Sequence, residues 1–349
     1  VNKVANLKDV AQKAGVSVAT ASLALNGKQV NEKTRERVIL CARALNYVPN
    51  RGGRTLITGK SNTILMVIIN STRYPNLIEK STFFYHFIQE ILNVANEYEY
   101  NFHLAVINWE DPSLHDFFQR KVNDKSNDGM IIIPQYRRDY SFLPYIKNFP
   151  TVILNPWQDC NGIASINVNH SIGGKIVANE FILNGYKHIA VIHGPSDHHD
   201  GYCRKEAFLE TLAGSGMSIP QDFQYESDFT TQSGYLGAKH ILSCGTIPDA
   251  LFCANDYVAA GAAHYFYEQG LRVPEDVALI GYDNTDISET LNPQLTTVGG
   301  ILKEVGRSLG TLLFEVMHQP SSPIHKKHEI LPLLVKRKSC PPKIIENMQ

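Results

Sequence analysis

Two hydrophobic rhythms divide the chain, and the change falls near residue 62. Before it, apolar residues recur at helical spacing. Leu7, Val10, Ala11 and Ala14 fall at i, i+3, i+4 and i+7, one face of a helix. Gly15 stops that helix, because glycine tolerates the left-handed conformation at a helix C-terminus. Ser17 is placed to cap a second helix. Val18, Ala21 and Leu25 give the second helix an inner face, leaving Thr20, Ser22 and Asn26 off it or at its end. A third helix is predicted over 32–46, capped by Asn31, with Thr34, Arg35, Val38, Ala42 and Leu45 inward and Pro49 closing the segment. Two short helices with a tight break describe a helix-turn-helix, whose second helix enters the DNA major groove. They also describe an ordinary helical hairpin.

After residue 62 the rhythm becomes strand–helix alternation. TILMVII (63–69) is a continuous apolar run, as a strand covered on both faces requires. Further strands are predicted over 102–107, 129–134 and 151–154, with helices over 83–98, 113–123 and near 142–147. A second cycle follows: helix 171–184, strand 189–192, helix 204–215, strand near 223–227, helix 233–242, strand 250–253, helix 256–269 and strand 277–280. Such alternation implies parallel α/β sheets. Two of them back to back make a cleft, and α/β sheets bind ligands outside the C-terminal ends of their strands. The expected fold is therefore an N-terminal all-α helix-turn-helix headpiece plus an α/β bilobed core with two parallel-sheet, Rossmann-like subdomains.

Charge reinforces the division. Residues 1–60 carry 11 Lys or Arg against 3 Asp or Glu, a net +8, whereas the remainder carries −9. A basic head on an acidic body points to a polyanion partner, and beside a helix-turn-helix that partner is DNA. The segment NRGGRTLITGK (50–60) is basic and glycine-rich. It reads either as a flexible linker or as a hinge helix that orders on DNA, with Arg54 on phosphate or the groove wall and Leu56 wedged between base pairs in the minor groove. With 43% hydrophobic and 19% charged residues, and no apolar run of about 18, the chain reads as globular, with no membrane span. No secretory segment opens it. The six cysteines are scattered without a C-x-x-C, as expected of reduced thiols in a cytoplasmic protein.

KDVAQKAGVSVATASLALNG, followed by TRERV, NYVPN and the 50–60 segment, resembles the lac repressor (LacI/GalR) family of bacterial transcription regulators. The resemblance continues to about Lys338. It implies a periplasmic-binding-protein-like core whose lobes are joined by three crossovers. The first lobe would take about 61–160 with 293–323, and the second about 161–292 with 324–340, leaving 341–349 as a tail. It further implies a homodimer on double-stranded operator DNA, a small-molecule effector in the cleft, repression as output and no cofactor. The family includes members with a C-terminal leucine heptad segment that makes tetramers; PPKIIENMQ is too short and too proline-rich for one.

The resemblance also nominates residues. Val18, Ala19 and Leu23 would lie on the base-reading surface, Thr20, Ser22, Asn26, Thr34 and Asn50 would mainly contact phosphate, and Ser17 belongs to the same DNA-binding set. Arg204, Asn255 and Asp283 match the family's effector-binding arginine, asparagine and aspartate, and Phe229 an aromatic position that stacks on a ring face. Read from the residues alone, each of the three polar groups follows a predicted strand and is equally a solvated loop residue or a helix cap; Asp256 is placed to cap the next helix. Tyr74 and Asn155 are first-lobe candidates, and relatives often carry aspartate where Asn155 stands. Trp157 either stacks on a sugar or packs at the lobe interface. These groups suit a sugar or sugar derivative, with a nucleoside or purine as the alternative. His193 and SDHHDG (196–201) suggest a metal site, but a polar loop at the cleft mouth is the simpler account.

Two other function classes remain. An enzyme fused to a DNA-binding head, such as a sugar-modifying one, would need a catalytic motif, and the chain has no G-x-x-x-x-G-K-[ST], G-x-S-x-G or H-E-x-x-H. A transport-type binding protein conflicts with the basic head. Two departures from the family pattern stand out: Gly52-Gly53 in the 50–60 segment, where alanine-like residues are common, and Leu23, where many members carry arginine. Leucine offers only apolar contact, for example to a thymine methyl, and cannot make arginine's bidentate contact with guanine. Replacing Leu23→Arg is expected to shift operator preference toward a G·C pair at one half-site position, read by selection from a randomised-site library; an unchanged preference removes Leu23 from the base-reading surface.

Overall fold

The computed structural model describes residues 5–26, 30–47, 59–74, 83–136, 138, 140–160, 162–319 and 327–342. Pro49, Asn50, Gly52, Gly53, Arg54 and Leu56 lie outside the described residues. The chain divides into two compact units, one holding the N-terminal helices and one the α/β core.

Helix α1 (Leu7–Ala14) begins with a capping box: Asn6 Oδ1 accepts the Asp9 N–H at 3.2 Å, and Asp9 Oδ2 accepts the Asn6 N–H at 2.8 Å. It ends at Gly15, whose φ of 63° is the left-handed stop expected of it. Helix α2 (Val18–Leu25) is capped by Ser17, whose Oγ accepts the Thr20 N–H at 3.0 Å. Helix α3 (Glu32–Ala44) stops two residues short of the expected 46. The core between them is Val10, Ala11, Ala14, Ala21, Ala24, Val38 and Ala42. It is made almost wholly of alanine and valine, so three short helices approach closely but bury little apolar area. Val18 does not point inward as the helical wheel suggested; it is 43% exposed, and Ala24 takes the inner place.

The α/β core contains two six-stranded sheets. The first has the order β11-β5-β4-β3-β1-β2 and is parallel throughout, from β1 (Thr63–Asn70), β2 (Asn101–Asn108), β3 (Gly129–Pro134), β4 (Thr151–Leu154), β5 (Ala164–Val168) and β11 (Lys327–Ile330). Every residue of β1, β3 and β4 is buried, which is what their unbroken apolar runs require. Helices α4 (Phe83–Glu97), α5 (Leu114–Asn123) and α6 (Leu143–Ile146) connect its strands. The second sheet, β12-β10-β9-β8-β6-β7, is parallel except for β12 (Leu333–Val335), which runs antiparallel to β10 (Thr296–Gly299). Its other strands are β6 (Ile189–His193), β7 (Gln224–Glu226), β8 (Ala250–Cys253) and β9 (Ala278–Asp283). Helices α7 (His170–Leu183), α8 (His199–Gly214), α9 (Thr231–Ser243), α10 (Asp256–Glu268) and the short α11 (Asp286–Thr290) complete that lobe. Helix α12 (Leu302–His318) returns to the first lobe, where Val305, Leu309, Leu312 and Leu313 join its core. No helix among the described residues is long and apolar enough to cross a membrane.

The three crossovers fall later than the sequence suggested. Ala164–Val168 belongs to the first sheet, Thr296–Gly299 to the second and Lys327–Ile330 to the first. The strand at 164–168 escaped notice because Ser165 and Asn167 interrupt the apolar run. The neighbouring helix pairs of the second lobe pack backbone to backbone. A Cβ added at Gly261 of α10 would collide with the Thr231 carbonyl of α9, and one at Gly174 of α7 with the Arg204 carbonyl of α8. Neither obstacle is a side-chain end that can swing away. Gly261→Ala is therefore expected to destabilise the core by about 1–3 kcal/mol, lowering the urea midpoint. Gly214→Ala, on α8 with open space around it, is the matched control and should be neutral or stabilising by up to about 1 kcal/mol.

Candidate functional site

The cleft between the two sheets is lined at strand ends, where parallel sheets present their loops. Asn155 follows β4, Asn255 follows β8, and Asp283 is the last residue of β9. Phe229 follows β7, and Arg204 reaches in from α8. Their second-lobe surroundings are polar, whereas the first lobe contributes Phe83, Leu154 and Ile133. Three of the lining residues hold left-handed backbone conformations: Asn155 (φ 45°), Phe229 (φ 66°) and Asp283 (φ 96°). Non-glycine residues there cost about 1–3 kcal/mol each and concentrate at ligand clamps.

Arg204 is 5% exposed and organises the second-lobe wall. Its Nη1 donates to the Ala254 carbonyl at 2.9 Å, its Nη2 to Asp283 Oδ1 at 3.3 Å, and its Nε to His170 Nδ1 at 3.3 Å. The guanidinium lies 3.6 Å from the Tyr282 ring centroid. Arginine only donates, so His170 Nδ1 must offer its lone pair and Nε2 carries the proton. That proton faces Asp200 Oδ2 at 3.2 Å. Asn155 Nδ2 donates to the same oxygen at 3.1 Å, while Asn155 Oδ1 accepts the Val168 N–H at 2.7 Å.

The protonation states follow from burial and these partners. Burial pulls His170 below its ordinary value; Asp200 opposes and Arg204 assists, leaving a neutral imidazole. Burial pulls His198 down to about 4. Burial alone would raise the Asp200 carboxyl, but the imidazoles of His170, His198 and His199 outweigh it and hold it below the usual carboxylate range. Burial raises Asp283 to about 6 against the pull of Arg204. Next to it, burial followed by the Asp283 charge raises Asp256 to about 7.

Several sequence expectations change here. Asn255, not Asp256, caps α10: its Oδ1 accepts the Val258 N–H at 2.8 Å, and its Nδ2 donates to the Phe229 carbonyl at 3.1 Å. Asp256 is fully buried and ties loops together, accepting from Thr285 Oγ1 at 3.0 Å and Thr297 Oγ1 at 2.6 Å. The 196–201 run is not a loop throughout, because α8 starts at His199 and His198 caps it, accepting the Gly201 N–H. Among the described residues no group of three or more His, Cys, Asp or Glu side chains is arranged to hold a metal. Tyr74 and Trp157 do not line the cavity. Trp157 is 40% exposed, its ring edge-on to His199, and Tyr74 stacks on Tyr136. Sequence reasoning did not nominate His170 and Tyr282, and it read His198 and Asp200 as part of a polar loop at the cleft mouth or a metal site; all four line the cavity. Asp200 sits one helical turn before Arg204, a spacing that places both on one face, but starting the helix at 204 hid it.

On the headpiece, α2 exposes Ala19, Val18 and Leu23, the last at 40%, and Ser17 precedes them at the surface. Thr20 and Ser17 share a hydroxyl hydrogen bond of 2.9 Å, and Asn26 Nδ2 donates back to the Ser22 carbonyl at 2.8 Å. Thr34, in the first turn of α3, is partly buried.

Comparison with known proteins agrees with both units. The profile described as bacterial regulatory proteins, lacI family, matches residues 6–50, and the periplasmic binding protein-like domain matches residues 178–340. The probable HTH-type transcriptional repressor ExuR of Bacillus subtilis (strain 168) is 30% identical over 323 residues, covering 92% of this chain and 94% of its own. The transcriptional regulator CelR–cellobiose complex superposes with a TM-score of 0.71 at 26% identity, over 96% of this chain and 99% of that one. The lac repressor dimer bound to operator and the anti-inducer ONPF has the same fold, with a TM-score of 0.83 at 24% identity over 97% and 99% of the two chains. With a helix-turn-helix unit, a bilobed α/β core and a relative matched along nearly its whole length, the chain belongs to the lacI family of bacterial transcription regulators.

Proposed function

We propose that this protein is a cytoplasmic transcriptional repressor, without enzymatic activity, that binds operator DNA as a homodimer and takes an uncharged polyhydroxylated effector in its cleft. Ser17, Val18, Ala19 and Leu23 would face the bases, with Thr20, Ser22, Asn26, Thr34 and Asn50 on phosphate and Arg54 and Leu56 at the operator centre. Arg204, Asp283, Asn255, Asn155 and Phe229 would hold the effector. Support for DNA and dimer comes from the lac repressor structure, which is a dimer on operator, and for a carbohydrate from the CelR–cellobiose complex.

The observation that carries the effector class is the charge balance around Arg204. One guanidinium is flanked by two carboxylates, Asp200 and Asp283, while His170 and His198 are neutral. The cleft therefore bears a net negative charge at neutral pH, which opposes sugar phosphates and uronates. Arg204 uses three of its five N–H groups among the described residues, so donors remain beside an acceptor carboxylate, the pairing that reads vicinal hydroxyls. Phe229 supplies a flat apolar wall. The non-enzymatic reading has its own support. His170 and Asp200 form an imidazole–carboxylate pair, but its Nδ1 meets Arg204 and Tyr282 rather than a serine or cysteine nucleophile.

A thermal-shift screen of sugars, sugar phosphates, uronates and nucleosides tests the class, because a ligand of the folded state raises its melting temperature. Neutral sugars should give the hits; a sugar phosphate or uronate hit overturns the charge argument. Arg204→Lys keeps the charge opposite Asp283 and removes the planar fork. Operator affinity in a mobility-shift assay should survive, while effector affinity falls at least about tenfold, roughly 1.4 kcal/mol.

Effector binding should also depend on pH. The effector's hydroxyls bond to ionised Asp283, so binding favours the deprotonated form. Affinity should be full above about pH 7 and fall as pH drops through about 6. In calorimetric titrations, Asp283→Asn should bind more weakly and lose the dependence across that window; retention of the same profile assigns it to another group.

A further inference from the structure

The chain that joins the DNA-reading helices to the first sheet is fastened at a point that the reading above does not use. Asp128 Oδ1 accepts the Ser61 N–H at 2.8 Å and the Ser61 hydroxyl at 2.9 Å, and Asp128 Oδ2 accepts the Asn62 N–H at 2.9 Å. One carboxylate thus takes three donors from two consecutive residues, which lie 67 and 66 positions before it in sequence. Hydrogen bonds to an ionised acceptor are stronger than neutral ones.

The place of these bonds in the chain gives them their meaning. Asn62 is followed by Thr63, the first residue of β1, and Asp128 by Gly129, the first residue of β3. The two strands are neighbours, with Ile64 opposite Gly129. Both are buried along their whole length. Ser61, Asn62 and Asp128 themselves belong to the N-terminal unit, together with the rest of the loop 123–128. The clamp therefore sits where the chain passes from the DNA-reading unit into the central strands.

Local structure holds both sides of the clamp in shape. Asn62 is left-handed, with a φ of 49°, a conformation that asparagine adopts more readily than most residues. It turns the chain just before β1. On the other side, the Ser126 N–H donates to Asp124 Oδ1 at 2.8 Å and its hydroxyl to Asn127 Oδ1 at 3.0 Å, and Asn127 is buried. The loop is braced by its own side chains and presents Asp128 in one place. Joining α5 to β3 requires no bond to residues 61 and 62.

Geometry says what the clamp controls. A dimer reads two half-sites whose separation must match that of its heads. An extended residue spans roughly 3.5 Å, and each base pair adds about 3.4 Å along the helix axis. Releasing Ser61 and Asn62 therefore gives each head about 7 Å of extra reach, the rise of about two base pairs.

We propose that Asp128 is a positioning residue for operator recognition: by clamping Ser61 and Asn62 it fixes where each DNA-reading unit joins its core, and so sets the half-site spacing that the dimer accepts. This rests on the reading of the chain as a dimer on operator DNA.

The test uses the full chain and the two-half-site duplex that it selects from a randomised library, with derivatives carrying one base pair inserted or removed between the half-sites. Mobility-shift titrations give a spacing ratio, the affinity for the parent duplex over that for each derivative. The wild type should show a ratio of at least about ten. In Asp128→Asn, whichever way the amide is turned, an N–H meets a donor of residue 61 or 62, and the ratio should fall about three- to tenfold. Ser61→Ala removes one donor of the three and should lower the ratio less. Gly261→Ala, which strains the second lobe far from the clamp in sequence, controls for a folding defect: it reduces the active fraction for every duplex alike and leaves the ratio at the wild-type value. An unchanged ratio in Asp128→Asn overturns the proposal, whether affinity for all duplexes falls together, which means that Asp128 supports the fold alone, or does not fall at all. A wild type indifferent to spacing overturns it as well. If no two-half-site duplex is selected, or the protein binds DNA as a monomer, the operator reading fails first and the role of the clamp falls with it.

Discussion

The second lobe depends on keeping one guanidinium charged while burying it. An unpaired charge in that position would be prohibitive, so the chain brings partners to Arg204 from four directions. Asp283 comes from the end of β9, the Ala254 carbonyl from the turn after β8, His170 from the start of α7, and the Tyr282 ring from β9 beneath. Each bond also fixes the element that supplies it. His170 is locked into one tautomer, which aims its proton at Asp200, and Asp200 then reaches Asn155 in the other lobe. A single buried charge thus sets the geometry of the ligand wall and extends to the boundary between lobes.

Among the described residues, that boundary is spanned by hydrogen bonds of Asn155 with Asp200 and of His199 with Gln135, and by close charged pairs of Arg138 with Asp197, Arg73 with Asp197 and Glu226, and His86 with Asp286. The arginines there are exposed, and exposed pairs contribute about 0–1 kcal/mol. Coupling energies of about 1–3 kcal/mol are typical of allosteric proteins, and two or three ligand hydrogen bonds that span the lobes supply that much.

Much of this was legible in the sequence, and the residues that were not share a cause. Continuous apolar runs such as 63–69 and 129–134 identified the central strands, because a doubly covered strand is apolar along nearly its whole length. The break at Gly15 and the cap at Ser17 were readable, because each satisfies a local backbone need. Arg204, Asn255 and Asp283 were nominated by the family resemblance, and all three line the cavity. Asp200 and His170 were not so nominated, since what brings them into the cavity wall is a contact with side chains far away in sequence. Strand β5 was missed for the same reason: its alternation of small and polar residues becomes a strand only when β4 and β11 flank it. Tyr74 and Trp157, which carry suitable chemistry near strand ends, are not among the residues that line the cavity.

The strained positions tie these observations together. Asn155, Phe229 and Asp283 come from three different strand ends, yet all adopt a conformation that costs a non-glycine residue energy. Each is held there by bonds of its own. Asn155 accepts from the Val168 N–H, the Phe229 carbonyl accepts from Asn255, and Asp283 pairs with Arg204. Gly299, at a φ of 156°, packs against the Asp283 backbone so closely that any side chain there would press on it. A loop free to relax would abandon such conformations. These bonds hold the polar groups of the cavity wall in fixed orientations.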